Sequence, residues 1–331
     1  MFRRLLSVLA ALAALFALAG PLYLVLDISP GSGFGANHVA GLPVVGDPAN
    51  PQSLKLSEHG KLSAQARAAL GLVHLLGRYS TYFNPQLSAR VHNLRLAAAA
   101  IDGILLQPGQ VFSFNEVVGP RTRTAGFLPA PELVGGELVD GVGGGICQLS
   151  STLYNAVLFA MLKVTERVHH SRPLGYVPAG RDATVYDNVL DFRFVNSTPA
   201  PVLITAEVVE NRLTVELWGS QPVTGQVHIE TSAERRLPAP LELVDDPRLP
   251  SGTWKLVQRG WDGVEVSVFR STYSPEGQLL RREELHRDYY QPRAYIVHKG
   301  SGVEAEDIIQ SLQLTGRAGT LLAMPGAAGL P

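Results

Sequence analysis

The chain has 331 residues and one cysteine, Cys147, so it holds no intramolecular disulfide and no cysteine-rich zinc site. Charge is scarce as well: Asp, Glu, Lys and Arg make up 17% of residues against 46% hydrophobic, and mean hydropathy is +0.10. A disordered chain would be poorer in apolar residues and richer in charge. The net charge of −1 leaves no electrostatic footprint for nucleic acid, and no basic run supplies one locally. Lysine is rare, 5 of 28 cations, so the positive charge is nearly all guanidinium. The length fits two domains at ~100–200 residues each.

What the sequence does have is one long apolar run at its start. Arg3 and Arg4 precede Leu5–Leu26, and Asp27 ends it. Two basic residues before an apolar core form an export signal whose positive end stays in the cytoplasm. The run reaches the ~20 residues that cross a hydrocarbon core. Ala17-Leu18-Ala19 is a small-x-small cleavage site, but the apolar stretch continues past it. The reading is therefore an N-terminal membrane anchor or signal peptide over 1–26, with the anchor preferred. Either way the rest of the chain is extracytoplasmic.

Glycines and prolines through residues 27–56 leave no helical or strand period and mark a linker. Leu62, Ala66, Ala69, Val73 and Leu76 keep helical spacing, with Gly77 placed as a stop. Val91, Leu94, Ala98, Ile101 and Leu105 predict a second helix, and Val111–Phe114 a short strand.

The chemistry-bearing stretch begins at Gly141. Gly143-Gly144-Gly145 runs into Ile146-Cys147-Gln148 and then Leu149, Leu153, Ala156, Val157 and Ala160, a helix with an apolar face. Its expected span is 147–162, buried against a sheet carrying Val168 and Phe192. Three glycines permit positive φ and close backbone approach. Cys147 then falls in the first helical turn, where free N–H groups and the dipole stabilise a thiolate. Gly144, Gly145 and Gln148 are the residues of an oxyanion-holding turn. The competing reading is a buried cysteine acting as a small apolar residue. A lone thiol in an oxidising compartment favours use over filler.

Val164–Val168 predicts a strand, followed by His169 and His170. Neighbouring side chains of a strand point to opposite faces, so one histidine of the pair can face the thiol. Asp182 is the first choice to orient it, at the start of the next expected β segment, and Asp191 the second. Cysteine at a helix start, then histidine, then carboxylate is the order of a papain-like or transglutaminase-like site. No further histidine or cysteine stands at ligand spacing, so neither metal nor cofactor is expected.

At these residues the chain resembles the VanW family of bacterial envelope proteins. The matching blocks are Pro108–Asn115 with Gly119-Pro120-Arg121, Gly143–Ala156, Glu166-Arg167 with His170-Ser171, and Asp182–Val185 with Asp191. His170, rather than His169, falls on the family's histidine position. The resemblance implies an exported or anchored protein linked to peptidoglycan and to glycopeptide (vancomycin) resistance.

Val202, Ile204, Ala206 and Val208 alternate, and Asn211 turns the chain into Leu213, Val215 and Leu217, a hairpin. Residues 57–225 read as the VanW-like domain and 226–250, with Pro238, Pro240, Pro247 and Pro250, as a second linker. Residues 251–315 resemble a G-five surface module, which implies thin β structure that binds glycans or acts as a spacer. Cross-strand packing accounts for its tyrosines. Residues 316–331 read as a disordered tail.

The fold class is α+β: a transglutaminase/papain-like mixed domain, its Cys147 helix packed on an antiparallel sheet, with a smaller C-terminal β module. Two functions follow. One is a thiol hydrolase or transferase acting on peptidoglycan stem peptides, with Cys147 as nucleophile, His170 as base and Asp182 or Asp191 as orienter. The other is a non-catalytic envelope scaffold contacting peptidoglycan.

Overall fold

The computed structural model describes residues 54–55, 64–134 and 136–312. The expected membrane segment, most of the 27–56 linker and the 316–331 tail lie outside the described residues. Among the described residues no helix is long and apolar enough to cross a membrane.

The first module is built on an antiparallel sheet in the order Leu54–Lys55, Ile104–Leu106, Val202–Val209, Arg212–Gly219, His74–Tyr82. Its centre is the expected hairpin, turned by Glu210 in the left-handed region (φ 52°) and by Asn211. Two helices cover one face. Ser88–Ile101 lies on Val202–Val209, and Ile146–Phe159 lies on His74–Tyr82 and Arg212–Gly219. Leu94, Ile101, Leu149, Leu153, Ile204 and Leu217 close the shared core, each fully buried. A smaller antiparallel sheet of Val111–Ser113, Arg193–Val195 and Lys163–Glu166 stands beside them.

Several sequence expectations are corrected. The helix expected over Leu62–Leu76 is only Ala64–Ala69, and His74–Tyr82 is a strand. Gly77 stops no helix. It lets this strand approach the cysteine helix, where an added Cβ would stand 2.2 Å from the Ala156 carbonyl oxygen. The second helix ends at Ile101, because Gly103 (φ 79°) turns the chain and Leu105 enters a strand. Phe114 opens the short helix Phe114–Val118 instead of ending a strand. The cysteine helix does not bury against a sheet carrying Val168 and Phe192. Val168 is 38% exposed outside any strand, and Phe192, also outside one, meets Tyr154 edge-on at 5.6 Å.

The C-terminal module starts earlier than its prolines suggest. Gln226–Thr231 and Arg235–Leu237 both pair with Gly263–Tyr273, which turns at Ser274–Gly277 and pairs with Leu279–Tyr290. Leu241–Asp245 runs parallel to Tyr295–Lys299, whose other edge takes Trp254–Gln258. Residues 226–250 are thus strands of the module with prolines between them, and not a linker.

The contact at Gly77 is testable. Its added Cβ would also stand 2.6 Å from the Ala160 amide nitrogen, so the obstacle is backbone that cannot rotate away. Gly77→Ala is expected to destabilise the chain by about 2–3 kcal/mol in urea unfolding. An unchanged midpoint would contradict this close approach of helix and strand.

Candidate active site

The cysteine helix begins at a tight glycine turn. Gly143 (φ 91°) and Gly145 (φ 108°) hold conformations that side chains rarely adopt, and Gly145 is the N-cap. Gly144 has no room for a side chain: an added Cβ would stand 2.0 Å from the Ala130 carbonyl oxygen. The turn takes up two amides of the helix start, Ile146 N–H donating to Gly143 O (3.2 Å) and Gln148 N–H to Gly145 O (2.9 Å). Cys147 follows as the second residue of the helix, at the positive end of its dipole.

His170 and Asp182 meet beside this helix start. The His170 amide and Nδ1 both lie 2.6 Å from Asp182 Oδ2. An ionised carboxylate only accepts, so Nδ1 carries the proton and Nε2 is left for the thiol. Neither residue stands in a regular strand, contrary to the expected β segments; both are in loops. The helix itself pins the loop that carries Asp182. Ser150 Oγ donates to Ala183 O (2.7 Å), Ser151 Oγ accepts from Ala183 N–H (3.0 Å), and Asn155 Nδ2 donates to Arg181 O (2.7 Å). All three helix side chains are fully buried.

The C-terminal module supplies the rest of the shell. Tyr290 Oη donates to Asp182 Oδ1 at 2.5 Å and accepts from Gly180 N–H at 2.7 Å. Arg167 bridges the two modules, with Nη2 3.2 Å from Asp182 Oδ1 and Nη1 2.7 Å from Asp288 Oδ1. Its Nε donates to the Asp182 carbonyl at 2.6 Å.

These partners set the charges. For Cys147, burial opposes ionisation, but the hydrogen bond and charge of His170 overcome it. A backbone hydrogen bond at Val185 and the Arg121 guanidinium add to the effect, and the thiol pKa is lowered. For His170, burial disfavours the charged ring, yet Asp182 and the Cys147 thiolate raise it from 6.5 to about 9. For Asp182, burial is outweighed by the His170 hydrogen bond and charge, then by Arg167 and Tyr290, and its pKa falls from 3.8 to about 2. Together these shifts favour the thiolate–imidazolium pair over the neutral thiol and imidazole.

The pair opens on a cavity of about 630 Å³ lined by Cys147, His170, Arg90, Arg121, Tyr176 and Tyr186, among others. Arg121 is neutralised there by an ion pair with Asp187 and donates Nη2–H to Asn115 Oδ1 at 2.7 Å. Among the described residues no cluster suited to a metal ion occurs.

Other candidates lie elsewhere. Asp191 is not beside His170: it accepts from Ser113 Oγ (2.5 Å) and the amides of Asn115 (2.9 Å) and Phe192 (2.8 Å). It therefore ties the helix start at Phe114 to the next strand. The Gln148 side chain is equally committed, with Nε2 donating to Thr81 Oγ1 (3.1 Å) and Tyr82 O (2.9 Å) and Oε1 accepting from Arg90 (2.9 Å). It cannot also hold an oxyanion. His169 turns away and packs its ring on Tyr290, 4.8 Å between centroids. Sequence reasoning did not find Tyr290, Asp288 or Arg90, because each acts from an element distant in the chain, whereas Arg121 and Arg167 stood in blocks already singled out.

A helix-borne thiol, a loop histidine and a buried carboxylate, with a β-rich module against the carboxylate, define a two-module protein with a candidate Cys-His-Asp centre. Comparison with known sequences places it further. Residues 89–218 match the VanW-like protein family and residues 228–301 match the G5 domain. The chain thus carries a VanW-like domain followed by a C-terminal G5 domain. It is 47% identical over 163 residues to the uncharacterized protein YoaR of Bacillus subtilis (strain 168), covering 49% of this chain and 54% of that protein. It is 26% identical over 137 residues to the vancomycin B-type resistance protein VanW of Enterococcus faecalis (strain ATCC 700802 / V583), covering 40% of this chain and 50% of that one. The chain thus spans about half the length of these relatives. A solved IgA1 protease G5 domain is 27% identical, covering 23% of this chain and 87% of that one, with a TM-score of 0.20.

The charge pattern predicts two pH dependences. Alkylation of Cys147 by iodoacetamide should rise with pH around a midpoint below the ~8.5 of a free thiol, and His170→Ala should move that midpoint upward. Equal midpoints would remove His170 from the pair. Stability follows the sign of each shift. The His170 contribution is complete below its ordinary 6.5 and is lost as pH rises through about 9. The Asp182 contribution is complete above 3.8 and is lost as pH falls towards 2. Urea midpoints measured across pH should decline at both ends, and His170→Ala should flatten the alkaline limb.

Proposed function

We propose that the chain is an exported cell-envelope protein that acts on peptidoglycan peptides as a thiol-dependent acyl transferase or amidase. The observation that carries this reading is the lowered Cys147 thiol paired with a raised His170, itself held by Asp182. The arrangement has the order of a papain-like or transglutaminase-like centre: nucleophile at a helix start on an antiparallel sheet, then histidine, then carboxylate. The name of the Enterococcus relative, a vancomycin resistance protein, supports a link to glycopeptide resistance. Anchoring through Leu5–Leu26 and wall contact through the G5 module belong to the same proposal, with peptidoglycan as the partner.

The steps use the chain's own groups. The Cys147 thiolate attacks an amide carbonyl, its sulfur–carbon bond forming as the carbonyl oxygen becomes an oxyanion. The Cys147 amide is the first-turn donor that the glycine turn leaves for that oxygen. Collapse breaks the carbon–nitrogen bond, and the His170 imidazolium protonates the departing amine. Water or a second amine then attacks the thioester, gives a proton to His170 and restores the thiolate as the acyl group leaves.

Mass spectrometry of muropeptides from isolated sacculi incubated with the full chain tests this. Wild type should alter peptide masses, while Cys147→Ala and His170→Ala should leave them as in untreated sacculi. Identical muropeptides from wild type and Cys147→Ala would support the scaffold reading instead.

A further inference from the structure

The cavity walls carry two guanidinium groups, and only one of them is paired with a carboxylate. Arg121 has Asp187. Arg90, in the first turn of Ser88–Ile101, is bound to neutral oxygens: Nη1 donates to Pro131 O (3.1 Å) and Nη2 to Gln148 Oε1 (2.9 Å). Both acceptors are fixed. Pro131 lies on a hairpin strand, and Gln148 is held by Thr81 and Tyr82. A guanidinium has five N–H donors, so two such bonds set its plane and leave donors for a ligand.

Its path depends on the glycine turn. A Cβ on Gly145 would stand 2.8 Å from Arg90 Cγ, so the absence of a side chain lets the arginine stem cross the helix start beside Cys147. The charge is felt at the sulfur: Arg90 and the Cys147 thiolate interact electrostatically, while burial lowers the arginine pKa. A half-buried cation with neutral partners, facing a cavity, is completed by an anion from outside. Glu132, which also lines the cavity, does not supply one, since it makes no ion pair among the described residues and burial raises its pKa towards the neutral form.

We propose that Arg90 recognises a carboxylate of the substrate, so that the site takes peptides bearing a free carboxylate next to the carbonyl that Cys147 attacks. The last peptide bond of a chain has that chemistry. This deepens the proposed function and rests on its nucleophile: the leaving amine belongs to the terminal residue, whose carboxylate stays on Arg90 while His170 protonates its nitrogen.

Two small alkylating agents test it on the full chain without a known substrate. Iodoacetate and iodoacetamide undergo the same displacement, in which the thiolate forms a carbon–sulfur bond and iodide leaves. They differ in one carboxylate, so the ratio of their rates cancels the thiolate fraction. The expected ratio of iodoacetate to iodoacetamide at Cys147 is roughly tenfold above that of N-acetylcysteine in the same buffer, and it declines with salt. Arg90→Met should remove most of that excess and Arg90→Lys should keep much of it. A wild-type ratio equal to N-acetylcysteine's, with iodoacetamide still reacting, overturns the carboxylate site and leaves the nucleophile standing. An excess that survives Arg90→Met overturns the assignment to Arg90. A Cys147 inert to both reagents overturns the nucleophile and this inference together. The wild-type measurement needs no variant, so it stands even if Arg90→Met fails to fold.

Discussion

A buried carboxylate needs donors, and the first module is arranged around giving them to Asp182. Its side chain is 1% exposed, where an unpaired negative charge would cost several kcal/mol. Oδ2 receives the His170 amide and ring, and Oδ1 receives Tyr290 and Arg167. His170 holds one oxygen while Tyr290 and Arg167 hold the other, so the carboxylate is fixed at both ends. That orientation fixes the His170 tautomer and thereby the nitrogen presented to Cys147. The surroundings of the thiol thus depend on how one aspartate is solvated by protein.

The helix that starts with Cys147 has an unusual interior. Gln148, Ser150, Ser151, Thr152 and Asn155 are buried as completely as Leu149 and Leu153. A helix with a solvent face would put such residues in water. Here they face a loop and the strand His74–Tyr82, and buried polar groups must find partners there. Ser150, Ser151 and Asn155 bond the backbone of residues 181–183, while Thr152 bonds Thr81 at 2.8 Å. The apolar stripe holds the helix to the sheet and the polar stripe holds the Asp182 loop to the helix. Both stripes lie on the same 14-residue segment, so Cys147 and the Asp182 loop are placed by one element.

This division explains what the sequence made legible. The glycine run before Cys147, the apolar period after it and the Val202–Gly219 hairpin are local signals and appear where read, although the helix ends at Phe159 rather than at residue 162. The first helix stops short of its apolar spacing: Val73 is exposed before the strand, and Leu76 is a buried strand residue beside Gly77, which meets a distant helix. Asp191 stands second to Asp182 as orienter when both are read on adjacent β segments. Only the folded backbone shows that Asp191 serves the amides of Asn115 and Phe192. Tyr290 read as cross-strand packing, since alternation shows a face but not what lies against it. Its hydroxyl is the part that the pattern cannot encode.

The two family matches meet at the site, and this changes what each module can be taken to mean alone. Arg167, from the VanW part, lies between Asp182 of its own module and Asp288 of the G5 strand Leu279–Tyr290. All three groups are nearly inaccessible to solvent. Separating the modules would strip a carboxylate from Arg167 and a hydroxyl from Asp182 at once, leaving charges at a surface shaped for burial. Removing one partner of a buried ionic group is more damaging than never having had the pair. A spacer could hang from the first module by backbone alone. This G5 module reaches with Asp288 and Tyr290 into the shell of the residue that orients His170, so its docking and the chemistry of Cys147 are parts of one buried network.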